Sequence, residues 1–138
     1  KSGADEIKEM MENFRNHPPK VIGGKMVESV EDYLVNECTS LTIGMKSEIG
    51  LPQSNVLKYT FSDGSWFTLR PSGTEPKIKF YFSVVGESSE DSQVRLASMR
   101  NDVLNHVKLF NFPKNNQSLF DIYASHPSNE YFSLDNKI

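Results

Sequence analysis

The stretch VLKYTFSDGSWFTLRPSGTEPKIKFYFSVV, residues 56–85, decides the fold. Residues 56–61 are a run of strong β formers. Ser62-Asp63-Gly64-Ser65 follows, and Asp-Gly signals a hairpin turn because both central positions tolerate positive φ. Residues 66–70 then read as the return strand, with Trp66, Thr68 and Arg70 on one face and Phe67 and Leu69 on the other. Over residues 78–85, Ile78, Phe80, Phe82 and Val84 alternate with Lys79, Tyr81 and Ser83, a two-residue period that predicts a half-buried strand.

On the N-terminal side, Ile7, Met10, Met11 and Phe14 form one apolar stripe at helical spacing, which predicts a helix over residues 4–17. Asp5, Glu6 and Glu9 suit the positive end of its dipole, and Pro18-Pro19 stops it. On the C-terminal side, Gly86 closes the strand. Ser88 and Asp91 stand at capping-box spacing before a helix expected over residues 90–108. Its stripe is Leu96, Met99, Val103 and Val107, flanked by Val94, Ala97 and Leu104. Between helix and hairpin, Gly23-Gly24 reads as a turn and residues 25–30 as a strand. Residues 36–52 read as a loop or irregular excursion. The expectation is an α+β domain over residues 1–108, a small antiparallel sheet of about four strands with two flanking helices. Residues 109–138 are expected to form an irregular tail.

The 138-residue length suits one domain, and 37% hydrophobic with 24% charged residues describes a globular chain. A net charge of −3 argues against a non-specific nucleic-acid binder, which needs a basic surplus to displace counterions. The single cysteine, Cys38, forms no internal disulfide and fits a reducing compartment, so a cytoplasmic location is expected. No segment has the length and apolarity of a membrane span, and no signal-peptide pattern opens the chain. The abrupt start at Lys1-Ser2-Gly3 suggests an excised piece.

The chemistry concentrates in the turn between the two best strands. A phosphate is a multiply charged acceptor, held best by a guanidinium fork and converging neutral donors. Arg70 supplies the fork from a strand end, and Ser72 and Thr74 supply hydroxyls. Gly73 lets the backbone turn tightly and present its amides as an anion nest. Pro71 and Pro76 stiffen the loop and lower the entropy lost on binding. Lys77 and Lys79 add positive charge on one face of the next strand. From composition alone, such a turn is more often an ordinary loop.

RPSGTEPKIKFY, residues 70–81, closely resembles the phosphate-binding loop of the α-D-phosphohexomutases. Residues 3–15 (GADEIKEMMENFR), 18–20 (PPK), 54–59 (SNVLKY) and 63–66 (DGSW) resemble the last domain of the bacterial phosphoglucomutase subgroup. The resemblance spans residues 3–108. It implies a fold like one repeat of the TATA-binding protein, and a role as the fourth domain of a larger enzyme. In that family an early domain carries a phosphorylated serine, a second holds Mg2+ and a third reads sugar hydroxyls. The fourth grips whichever substrate phosphate is not reacting. Carried over, Arg70, Ser72, Gly73 and Thr74 match the phosphate motif, and Lys79 a second basic position. The implied partners are a phosphosugar and the three preceding domains, with no nucleic acid and no membrane. The chain itself is expected to hold no catalytic residue and no metal. A stand-alone phosphosugar-binding module is the competing expectation.

Other residues draw plainer readings. Ala124-Ser125-His126 resembles part of the family's catalytic serine loop, but Tyr123 and Pro127 are the wrong neighbours, so a chance match is expected. His17 and His106 are expected at helix ends, Cys38 as an inert thiol, and Trp66 as packing.

Overall fold

Helix α1 (Gly3–Asn16) starts on Ser2, whose hydroxyl accepts from the Asp5 amide at 3.2 Å. It buries Ile7, Met10, Met11 and Phe14, the stripe expected from their spacing. The computed structural model describes residues 2–108, 119–125 and 131–134 of the chain. A hairpin follows α1, joining β1 (Val21–Ile22) and β2 (Lys25–Asp32). Then come β3 (Glu37–Ser40), β4 (Lys46–Glu48), β5 (Leu57–Phe61), β6 (Trp66–Pro71) and β7 (Ile78–Ser83). Helix α2 (Ser89–Lys108) and strands β8 (Phe120–Ser125) and β9 (Tyr131–Leu134) complete the described chain.

The strands form one sheet in the order β4-β3-β2-β5-β6-β7-β8-β9, with β1 also paired to β2. Neighbours are antiparallel except β7 and β8, which run parallel with α2 as their crossover. Both helices cover one face. There Leu57, Tyr59, Phe61, Phe67, Leu69, Ile78, Phe80 and Phe82 meet the α1 stripe and Met99, Val103, Leu104 and Val107 of α2. The Tyr59 ring stacks on Phe67 at 4.5 Å, and its hydroxyl donates to the Phe14 carbonyl at 2.9 Å. That bond satisfies a buried phenol and an orphan carbonyl at the end of α1; leaving either unpaired would cost roughly 1–3 kcal/mol. Arg15 pairs with Asp32 at 2.8 Å and fastens α1 to β2.

The class matches the α+β expectation, with two helices and a mostly antiparallel sheet, but the sheet is larger than foreseen. Residues 36–52, expected to be irregular, contain the β3–β4 hairpin. Its residues are only half-buried in β3 and exposed in β4, so they carry no apolar alternation to read. Part of the tail expected to be irregular is also sheet. Phe120, Ile122 and Ala124 of β8 lie in the same core as α1 and β7. The rest of that tail lies outside the described residues.

The other sheet face carries polar and aromatic side chains. Lys58 stands over the Trp66 ring at 4.8 Å, and Tyr81 stacks with Tyr123 at 5.0 Å. Trp66 is therefore half-buried on this open face rather than in the core.

Candidate functional site

Strands β6 and β7 pair directly up to Pro71 and Ile78, so the six residues 72–77 must close in a tight turn. The Ser72 amide donates to the Lys77 carbonyl at 2.8 Å, and the Lys77 amide to the Glu75 carbonyl at 2.7 Å. Gly73 takes φ +82°, in the region where an L side chain costs energy. A Cβ there would meet nothing within 4 Å, so the glycine is required by backbone conformation and not by crowding. The Ser72 and Thr74 hydroxyls form an exposed hydrogen bond at 3.3 Å, either one as donor. Among the described residues, the amides of Gly73, Thr74 and Glu75 donate to no protein acceptor. The turn therefore keeps donors in reserve, as an anion nest does.

Arg70 and Lys79 are cross-strand partners at the root of this turn. Their side chains fall on the open face, and Arg70 is exposed. Two cations set opposite one another repel, a cost that an anion between them removes. Among the described residues neither has a carboxylate or hydrogen-bonding partner. Arg15, Lys25, Lys46, Lys77 and Arg95 are all in ion pairs. The structure thus brings Arg70 and Lys79 together beneath the turn and puts Ser72, Gly73 and Thr74 at its tip. On its other side, Gly73 and Thr74 line an open cleft of about 470 Å³ with Ser2, the cap of α1, and Gly3 and Ile7 of that helix.

Two contributors escaped the sequence reading. One is the start of α1, which packs closely on the turn: a Cβ on Gly3 would lie 3.1 Å from Pro76 and 3.2 Å from Leu119. The other is Asp121 of β8, which lies opposite Lys79 and pairs with Lys77 at 3.7 Å. The alternation of Phe120, Ile122 and Ala124 was a signal for β8, but nothing local names its partner strand.

A second charged cluster lies far from the turn. Asp63 takes both Lys25 and Arg95, and Arg95 also pairs with Asp91 at 2.9 Å. Burial raises the Asp63 pKa, but bonds from Lys25 and Ser65 outweigh it and hold the carboxyl below its ordinary range. Lys25, Ser65 and Arg95 also line a cavity of about 200 Å³. With its cations matched by carboxylates, this cluster clamps the β1–β2 hairpin to α2 rather than offering charge to a ligand.

The remaining candidates fall elsewhere. The Ser125 backbone ends β8 at the end of the strand away from the turn, roughly 16 Å along it from Phe120. His126 lies outside the described residues. Cys38 is a half-buried free thiol in β3, His17 caps α1, and His106 packs against Phe14 at 4.9 Å. Among the described residues, no three His, Cys, Asp or Glu side chains converge as metal ligands. No described helix is long and apolar enough to cross a membrane.

Residues 18–102 match the family model described as the phosphoglucomutase/phosphomannomutase C-terminal domain. Over 97 residues, 70% of this chain, the sequence is 40% identical to phosphoglucomutases of Staphylococcus aureus strains MSSA476 and MW2, and 39% identical to that of strain N315. The matched segment spans only 17% of the length of each of these relatives. No solved structure matches the chain.

Proposed function

Because the chain belongs to the phosphoglucomutase/phosphomannomutase C-terminal domain family, we propose that its β6–β7 turn grips the non-reacting phosphate of a phosphosugar in a larger mutase. The observation that carries this reading is the uncommitted pair Arg70 and Lys79 beneath a turn with unspent amides. Arg70 offers a bidentate fork, Ser72 and Thr74 offer hydroxyls, and the amides after Ser72 complete the cradle. Lys79 adds a point charge from the neighbouring strand.

The reaction assigned to the whole enzyme interconverts hexose 1-phosphate and hexose 6-phosphate through a bisphosphate. A phosphoserine of another domain donates its phosphoryl group to the sugar, and the sugar's other phosphate then returns to serine. Each half-reaction needs the idle phosphate held still. That grip is binding energy remote from the chemistry, and it can orient the reacting end and favour closure over the cleft. The chain by itself carries no phosphoryl donor in this scheme, so it binds and does not turn over.

The test is Arg70→Ala in the full-length parent enzyme. Losing a charged partner of the idle phosphate is expected to lower kcat/KM at least 30-fold, about 2 kcal/mol, with Arg70→Lys recovering part of it. Native turnover in Arg70→Ala would overturn the role of Arg70.

A further inference from the structure

Strand β8 lies outside the region that matches the family, at residues 120–125 against a match of 18–102. Its parallel register on β7 places Phe120 beside Ile78, Asp121 beside Lys79 and Ile122 beside Phe80. Phe120 and Ile122 are buried, so Asp121 turns to the opposite, open face. There it extends the cross-strand row Arg70, Lys79, Asp121. Its carboxylate reaches Lys77 at 3.7 Å, with side-chain exposures of 28% and 38% for Asp121 and Lys77. A row that is otherwise cationic therefore ends in a fixed negative charge, held by a strand whose apolar side is locked into the core.

We propose that Asp121 tunes the turn's affinity for anions, occupying Lys77 and offsetting the field of Arg70 and Lys79 so that a phosphate is held less tightly than the cations alone would hold it. This inference rests on the phosphate-grip reading of the turn. The physical reason is long-range. A carboxylate beside the site attracts the same cations that the anion needs and repels the anion itself. Both partners are partly exposed, so the effect is moderate and depends on ionic strength. A grip that must release a phosphate each time the substrate turns round gains from such moderation. Asp121 is a positioning and charge-setting residue here, not one that touches the ligand.

The experiment titrates inorganic phosphate into this chain and follows the amide resonances of Gly73 and Thr74. Native protein is compared with Asp121→Asn, which keeps size and strand register, and with Arg70→Ala. Asp121→Asn is expected to tighten binding about three- to fivefold at low salt, and the gain is expected to shrink towards nothing at about 0.5 M salt. Arg70→Ala is expected to abolish the response. If Arg70→Ala abolishes it while Asp121→Asn binds as the native chain does, or more weakly at every salt concentration, Asp121 is merely structural and the inference falls while the site stands. If the native chain shows no phosphate-dependent shift, or Arg70→Ala binds normally, the site reading fails and takes the inference with it.

Discussion

His106 shows how one half-buried side chain ties stability to pH. Its ring lies between α2 and Phe14, and burial holds the imidazole below its ordinary value of 6.5. A hydrogen bond involving the His17 backbone pulls the other way without cancelling the effect, and the charge on His17 adds to the lowering. The folded state therefore resists a proton that the unfolded chain accepts. Stability is full above pH 6.5 and falls as pH drops from there through the lower folded value. Urea midpoints measured between pH 7.5 and 5 are expected to decline, and His106→Phe to flatten the decline. Equal slopes in the two proteins would refute the assignment. At the same scale, the sequence shows the residue inventory of the turn. A guanidinium, two hydroxyls and a glycine between two prolines are types whose functions follow from their own bonds. Whether Arg70 was already spent on a carboxylate was not legible, because ion pairs form between residues far apart in the chain.

Elements were readable wherever burial imposes a period. Helix α1, helix α2 and strands β5, β6 and β7 each present one face to the core, so each shows its spacing in the sequence. The cap of α2 was readable as well: the Asp91 amide donates to the Ser88 hydroxyl at 3.0 Å, and the Asp91 carboxylate accepts from the Glu87 amide at 2.9 Å. Strands β3 and β4 were not readable, since a rim hairpin with solvated faces has no reason to alternate. Gly86 belongs to this scale too. A Cβ there would lie 2.3 Å from the Ser92 hydroxyl oxygen, and 2.8 and 2.9 Å from the Ser92 amide nitrogen and Cα. The serine side chain can rotate away, but the helix backbone cannot. Gly86→Ala is thus expected to force the segment that follows β7 away from α2. A cost of about 2 kcal/mol, or roughly 5–10 °C in Tm, should appear by calorimetry. An unchanged Tm would refute a close approach of Gly86 to the α2 backbone.

At the scale of the molecule, the test is whether the tail strand is structural. Ile122 is fully buried among core residues of α1, β7 and α2. Ile122→Ala is expected to destabilise the chain by about 2–4 kcal/mol, read as a lower urea midpoint. A loosely attached tail would lose almost nothing. The sequence by itself determined the α+β class, the helices, the central strands and the inventory of the turn, because short-range periodicity and side-chain chemistry are properties of neighbouring residues. Only the tertiary structure decided that β8 joins β7 in parallel across α2, and hence that Asp121 stands beside Lys77 and Lys79. Parallel pairing is made by a crossover of many residues, and no local pattern encodes which strand lies at its far end.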